Sequence, residues 1–116
     1  MNDRELLELA AKAAGIDVYE STDGTIQNRP VLVFSAGGAM GTMPYEERWN
    51  PLADSAQAFQ LAVKLKLNVD LAYEEECVVR VFSDKHFFSE STAQYPYAAS
   101  RRAIVRAAAE IGKEMP

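Results

Sequence analysis

The spacing of apolar positions divides the chain into three helical segments separated by extended ones. The first helix is predicted in "NDRELLELAAKAAG", whose apolar residues recur at helical spacing on one face: Leu6, Leu9, Ala10 and Ala13. Asn2 is placed to cap its N-terminus, with Glu5 completing a capping-box pattern. Gly15 is well placed for the left-handed residue that ends a helix.

The second helix is predicted in "SAQAFQLAVKLKL", after the turn "WNPLAD". Pro51 disfavours helix at Asn50, because its ring crowds the preceding residue, and Asp54 then caps the helix. The pattern predicts a buried stripe of three residues with two others flanking it: Phe59, Ala62 and Val63, flanked by Ala58 and Leu65.

The third helix is predicted to begin at Pro96, a favoured first helical residue, and to be closed by Gly112. Its predicted apolar face carries four residues with Val105 beside them: Tyr97, Ile104, Ala108 and Ile111. Three arginines lie mostly on the flanks and the outer side of the same helix.

The extended segments form two predicted hairpins. In the first, "VLVF" at residues 31–34 is the most strand-like tetrapeptide, and a second arm through Tyr45 returns after the glycine-rich residues 37–41. Before it, an extended run begins at Ile16 and turns at "STDG". In the second hairpin, "LNVDLAY" alternates strictly and "CVVRVF" pairs with it. A short edge strand is predicted at Phe87 and Phe88.

These elements predict a single α+β domain over residues 1–116 with the order α-β-β-α-β-β-α. Adjacent hairpins imply a mainly antiparallel sheet of about four strands. Three amphipathic helices must each bury an apolar face, and a sheet has two faces to cover. We therefore expect a three-layer α/β/α sandwich. The alternative places all helices on one face, with the other face solvated or used in a dimer.

Composition narrows the class of protein. Apolar residues make up 48% and charged residues 25% of the 116 residues, which is typical of a globular domain. No apolar run approaches the roughly 20 residues that cross a bilayer, and the acidic start "MNDRELLELA" differs from a signal peptide. Cys77 is the single cysteine, so neither an intrachain disulfide nor a zinc framework is expected. We expect a cytoplasmic protein.

Three blocks of the sequence resemble a group of small phage and prophage proteins. The blocks are "ELLELAAKAAGI", "WNPLADSAQAFQLAVKLKL" and "AASRRAIVRAAAEIG". In order and spacing they are similar to phage ABA-sandwich domains, to which NinX-like proteins look related. The resemblance implies a three-layer sandwich encoded by a phage or prophage, of unassigned molecular function, and carries over no catalytic residue. The matched turn is interpreted as a structural corner formed by Trp49, Asn50, Pro51 and Leu52.

The glycine-rich loop does not match a nucleotide-binding motif. Gly37, Gly38 and Gly41 lack the spacing of a dinucleotide fingerprint, and no Lys-Ser/Thr pair follows them as in a P-loop. A turn or hairpin loop is the favoured interpretation. The acids at 74–76 are interpreted as a solvated hairpin tip, because adjacent strand residues point to opposite faces and no calcium-loop pattern is present. No metal and no cofactor is therefore predicted.

A catalytic set is also not favoured. His86 is the single histidine, and its neighbours Ser83 and Asp84 are more typical of a turn than of a nucleophile and an orienting acid. Cys77 follows three glutamates, whose charges disfavour a thiolate. We interpret it as a small buried residue.

Two groups of residues are candidate interaction surfaces. The only basic concentration consists of Arg101, Arg102 and Arg106. The favoured interpretation is a solvated helix face bonded to nearby acids, and the alternative is a contact surface for an acidic partner. The aromatic residues near them mark a protein interface if two or more are exposed together: Phe87, Phe88, Tyr95 and Tyr97.

The sequence thus favours a non-enzymatic phage or prophage accessory protein that binds a host or phage protein, or itself as a homodimer. A host defence factor or a DNA-processing enzyme is one such partner. The alternative is a nucleic-acid-binding module that uses the three arginines. It is not favoured, because 17 acids against 12 bases give a net charge of −5, and nucleic-acid binding depends on neutralising phosphates.

Overall fold

A computed structural model describes residues 2–26, 29–36, 45–71, 78–92 and 94–116. Within these ranges the mixed α+β class is confirmed. The three helices are α1 (Asp3–Ala14), α2 (Ser55–Lys64) and α3 (Pro96–Glu114). The strands are β1 (Tyr19–Ile26), β2 (Arg29–Ala36), β3 (Tyr45–Arg48), β4 (Asn68–Asp70), β5 (Val78–Phe82) and β6 (Phe87–Ser91).

The described strands form two antiparallel sheets of three rather than one sheet of about four. Sheet A has the order β1-β2-β3 and sheet B the order β4-β5-β6. Both predicted hairpins are present, since Ala36 pairs with Tyr45 and Val69 with Val81. Two strands were underestimated. β1 continues through residues 21–24, where "STDG" was predicted to turn, and β6 is a full edge strand that extends to Ser91.

The helix starts follow the local signals in the sequence. Asn2 Oδ1 accepts a hydrogen bond of 2.8 Å from the backbone N–H of Glu5, and Asp54 Oδ1 accepts one of 3.1 Å from that of Gln57. Pro96 is the first residue of α3. Gly15 ends α1 with φ of 71°, a left-handed conformation that favours glycine. These four predictions are confirmed.

Gly112 does not close α3, which continues to Glu114. Its function is to allow close packing of two helices, since a Cβ atom built on Gly112 would lie 2.0 Å from the carbonyl oxygen of Leu9 in α1. A glycine near the end of a helix is typical of a cap, which is why Gly112 was predicted to close α3. Glycine is instead required there because α1, which is distant in the sequence, packs against this position.

The core is centred on α3, which packs against α1 and α2 and against β5 and β6 of sheet B. Residues almost all around the middle of α3 are buried: Ala103, Ile104, Val105, Ala107, Ala108 and Ala109. Val79 and Val81 of β5 face α3 and are fully buried. Small residues dominate this helix, because close approach of its neighbours leaves little volume for side chains.

Sheet B is covered by α3 on one face only, among the described residues. The opposite face carries Phe82 and Phe87, whose rings stack at 6.3 Å between centroids and are both exposed. Among the described residues one face of sheet B is therefore exposed, a feature that the alternative arrangement also predicts. The three-layer sandwich is not confirmed.

Candidate functional site

An apolar groove lies between α2 and α3 and ends on β4. It encloses about 620 Å³, a volume within the range of protein binding clefts. Helix α2 contributes Ala58, Phe59, Ala62 and Val63, and helix α3 contributes Tyr97 and Ile104. The strand end contributes Leu67, Val69 and Leu71. We call this site the α2–α3 groove.

Four large apolar side chains on the groove are mostly exposed to solvent. The exposed fractions are 68% for Phe59, 61% for Val63, 68% for Leu71 and 79% for Tyr97. Single exposed apolar residues are common, but a contiguous group that lines one groove is typical of a binding surface. The groove is therefore a candidate site for an apolar partner.

The exposure of Phe59 and Val63 corrects the predicted buried stripe of α2. The buried residues of this helix are Gln57, Ala58, Leu61 and Ala62. Apolar residues in α2 cover more than one face, so periodicity alone could not decide which face packs on α3. The excess of apolar positions on α2 was the signal that could have revealed the groove. Tyr97 was predicted on the apolar face of α3, and also among the aromatic residues that mark an interface if they are exposed; it is exposed.

The floor of the groove is a part of sheet B that no helix covers extensively. α3 packs on β5 and β6, whereas among the described residues neither α2 nor α3 makes extensive contact with β4. Leu67, Val69 and Leu71 alternate along the strand and therefore lie on the same side of it. The layer of helices on sheet B thus ends one strand short of the sheet edge.

The charged residues that line the groove are Lys66 and Arg101, and no Asp or Glu among the described residues lines it. Arg101 is held in place, since its Nε donates to the carbonyl oxygen of Leu52 at 2.8 Å and its guanidinium donates to Ser55 Oγ at 3.0 Å. These bonds use two of the five N–H donors of a guanidinium. The groove is therefore locally basic in a chain of net charge −5.

The three arginines do not form one free basic face. Arg102 lies 3.1 Å from Asp3 of α1, and Arg106 lies 2.6 Å from Glu90 of β6. The Arg106 guanidinium also stacks over the Phe88 ring, 4.9 Å from its centroid. Arg101 instead bonds to Leu52, before α2, and to Ser55, the first residue of α2. Each of these cations thus has a partner within the chain.

The predicted aromatic surface is divided between two environments. Phe88 is partly buried and packs against the core. Phe87 and Tyr95 are exposed, by 59% and 71%, but Phe87 lies on the outer face of sheet B and Tyr95 at the N-terminus of α3. These two residues keep the exposure that an interface needs, but neither lines the α2–α3 groove.

The "WNPL" segment is placed as a corner that joins four elements. Trp49 is buried, packs edge-on against Phe34 at 5.9 Å, and donates its indole N–H to the carbonyl oxygen of Leu7 at 2.9 Å. The Asn50 carbonyl oxygen accepts from the N–H of Asp54, and Pro51 is fully buried. The Leu52 carbonyl oxygen accepts the bond from Arg101 described above.

Gln57 completes the corner and was not identified from the sequence. Its side-chain oxygen accepts from the N–H of Asn50 at 2.7 Å, and its side-chain nitrogen donates to the carbonyl oxygen of Arg48 at 2.6 Å. It is 4% exposed, so these bonds satisfy a buried amide. A glutamine within an apolar stretch of helix was the available signal.

His86 lies in the turn between β5 and β6. Its backbone N–H donates to Ser83 Oγ at 3.3 Å, and its carbonyl oxygen accepts from the Ser83 N–H at 2.9 Å. The ring Nε2 lies 3.3 Å from Glu114 Oε2 without a hydrogen-bonding geometry, so this contact is an ion pair only when the imidazole is protonated.

The predictions for Cys77, residues 74–76 and the loop at 37–41 concern positions outside the described residues.

No group of three or more potential metal ligands occurs among the residues that the structure describes. Within the same ranges, no helix combines the length and apolar character needed to cross a bilayer. Comparison of the chain with family models, with curated proteins and with solved structures gives no match.

Proposed function

We propose that this protein is a non-enzymatic accessory protein that acts by binding another protein in the α2–α3 groove. The observation that carries the proposal is the group of four largely exposed apolar side chains on that groove, of which Phe59 is the largest on α2. Exposed apolar groups of this kind are stabilised when a partner removes them from water, by roughly 25 cal/mol per Å² of buried apolar surface.

A phage or prophage origin, with a cytoplasmic location in the bacterial host, is part of the proposal. Its support is the resemblance of the three sequence blocks to phage ABA-sandwich domains. The three-layer α/β/α sandwich that the resemblance implies belongs to the same proposal. The presence of three amphipathic helices and two antiparallel sheets supports it.

A matched pair of exposed phenylalanines allows the docking proposal to be tested. Phe59 lines the groove, whereas Phe87 lies on the outer face of sheet B, and the two are exposed to similar extents. Immobilised wild type, Phe59→Ser and Phe87→Ser would be incubated with lysate of the bacterial host, and captured proteins compared by mass spectrometry. Amide exchange of the complex would then be measured.

We expect a protein that wild type and Phe87→Ser capture but Phe59→Ser does not, and that slows exchange in residues 58–71. Capture that is unchanged by Phe59→Ser, or protection confined to β5 and β6, would contradict docking in the groove. Loss of capture with Phe87→Ser alone would instead assign the interface to the outer face of sheet B.

The second candidate function is nucleic-acid binding through Arg101, Arg102 and Arg106. It is less favoured, because the ion pairs with Asp3 and Glu90 already neutralise two of these cations. A salt-dependent mobility shift with DNA or RNA that disappears in the Arg101→Glu/Arg106→Glu variant would support it. Absence of a shift at low salt would exclude it.

A further inference from the structure

We propose that the partner segment in the α2–α3 groove is an amphipathic α-helix that carries an acidic residue beside its apolar stripe. This inference rests on the proposed function and specifies the occupant. In the bound state the partner helix would lie beside α3 and cover β4, and so complete the layer of helices on sheet B.

The shape of the groove favours a helix. Domains are built from layers, and a sheet face is buried by helices packed side by side upon it. Here α3 covers β5 and β6, and the side of β4 that carries Val69 and Leu71 is left without extensive helix contact. A helix placed there contacts the strand below it and α2 and α3 at its sides, which buries its apolar stripe on three surfaces.

The length of the groove matches a short helix. On α2 the lining extends from Ser55 through Phe59 to Val63, with spacings of four residues that form one stripe, and Lys66 follows just after the helix end. The ten residues of α2 correspond to about 15 Å, at about 1.5 Å per residue. A partner helix of three turns, with apolar residues at positions i, i+3 or i+4, and i+7, would fill this length.

The charges that line the groove favour an acidic partner. Lys66 and Arg101 are cations, and Arg101 is held by Leu52 and Ser55 with N–H donors remaining. Opposite charges across an interface increase the association rate and exclude partners of the wrong sign. A carboxylate on the flank of the partner helix accepts from Lys66, and Arg101, which is held within the chain, adds to the positive charge around it.

Lys66 has a backbone conformation that supports a role for its side chain. Its φ is 55°, in the left-handed region where glycine is the favoured residue at a helix end. The Lys66 N–H donates to Val63 and the Leu67 N–H to Ala62, so the position ends α2 as a glycine normally would. The backbone conformation alone would favour glycine at this position, but the sequence has lysine. The lysine side chain supplies a positive charge that glycine would not.

Other occupants fit the groove less well. Phe59, Val63 and Tyr97 are more than half exposed, so they become buried only under a broad partner and not around a small enclosed ligand. A second copy of the chain, paired through the same groove about a two-fold axis, would bring the lysine and the arginine of both copies into one interface without an acid from the groove itself.

The occupant can be identified with an unbiased peptide selection. The full chain would be labelled and used to sort a yeast-displayed library of randomised peptides of about 16 residues, which is long enough for four helical turns. The library would also be sorted with the Phe59→Ser variant, and peptides that still bind this variant would be discarded because they bind outside the groove. Enriched peptides would be synthesised, their helicity measured when bound, and their affinities determined by fluorescence anisotropy.

We expect the enriched peptides to be helical when bound, with large apolar residues at i, i+3 or i+4, and i+7, and with Asp or Glu more frequent than Lys or Arg. Phe59→Ser should weaken them by at least about tenfold. Lys66→Gly should weaken them by about threefold to fivefold without loss of stability, because it relieves the left-handed strain. Lys64→Ala, an exposed lysine outside the groove, should leave affinity unchanged.

Enrichment of extended or basic peptides, or equal binding by Lys66→Gly, would overturn the inference. Self-association of the chain that Phe59→Ser abolishes would also overturn the inference, because the occupant would then be a second copy. Binding of dodecanoate, a probe for a small apolar ligand, in the groove without binding of any helical peptide would overturn it as well. If a captured host protein slows amide exchange in the groove but the selected peptides are extended, this inference fails and the proposed function stands. If capture is unaffected by Phe59→Ser, both fail.

Discussion

Gly112 illustrates, at the scale of single residues, how a position inside α3 is determined by another helix. The nearest backbone atoms to its missing side chain belong to Leu9 and Ala13 of α1. Arg101 and Gln57 similarly bond to carbonyl oxygens at the "WNPL" corner, although their side chains are of types usually found in solvent. At these three positions the contacts within the fold explain the residue.

Replacement of Gly112 by Ala should destabilise the protein by about 3 kcal/mol, because the added methyl group would overlap the Leu9 carbonyl oxygen. In an ordinary helix interior the same change stabilises by up to about 1 kcal/mol, so the sign is diagnostic. Urea denaturation measures the free energy of unfolding. Lys113→Ala, at the exposed neighbouring position, is the control and should change it by less than about 0.5 kcal/mol. A more stable Gly112→Ala variant would contradict the close approach of α1 and α3.

Tyr19 provides a prediction for the pH dependence of stability. A hydrogen bond to the Glu46 carboxylate is the main cause that raises the pKa of the Tyr19 phenol above its usual value of 10.0. Since the folded-state pKa is raised, the stabilisation is complete below pH 10 and is lost as pH rises through the folded-state value. The difference in urea midpoint between wild type and Tyr19→Phe should therefore be larger at pH 8 than at pH 11. A difference that does not depend on pH would contradict the bond.

At the scale of elements, sequence signals that act within one helical turn were sufficient to predict the helix starts, whereas the packing between distant elements could not be predicted from the sequence. Asn2, Asp54 and Pro96 mark helix starts because a cap acts within one turn of its own helix. The buried face of α2 depends on where α3 lies, and Phe59 and Leu61 are equally apolar in sequence. For the same reason, the groove was not predicted, since it forms only where α2, α3 and β4 meet, although the excess of apolar positions on α2 was a signal for it and Arg101 was named as an interaction candidate.

The two faces of α2 should respond very differently to mutation. Leu61→Ala removes a side chain that is 2% exposed and should cost about 2–4 kcal/mol in the free energy of unfolding. Phe59→Ser changes a residue that is 68% exposed and should cost less than about 1 kcal/mol while it reduces the binding of a hydrophobic dye. Urea denaturation and dye fluorescence on the same samples test both expectations. A larger loss of stability in Phe59→Ser than in Leu61→Ala would support the buried stripe that was predicted from the sequence.

At the scale of the whole molecule, sheet A is joined to the rest mainly through the "WNPL" corner. No helix makes extensive contact with β1, β2 or β3 among the described residues. In the main buried cluster, the buried members that come from sheet A or its end are Leu32 and Trp49. On α1, the Arg4 side chain forms an exposed ion pair with Glu20 of β1. The helices and sheet B, in contrast, share the core around α3.

Trp49→Phe should therefore release sheet A before it affects the core around α3. The substitution removes the indole N–H that donates to Leu7 and part of the ring that packs on Phe34, at a local cost of about 1–3 kcal/mol. Because local opening and global unfolding have separate free energies, amide exchange should accelerate more in residues 32–34 and 46–48 than in residues 103–109. Phe87→Leu, on the outer face of sheet B, serves as a control that should change neither region. Equal acceleration of both regions would mean that sheet A and the α3 core unfold as one cooperative unit, and that the corner does not limit their coupling.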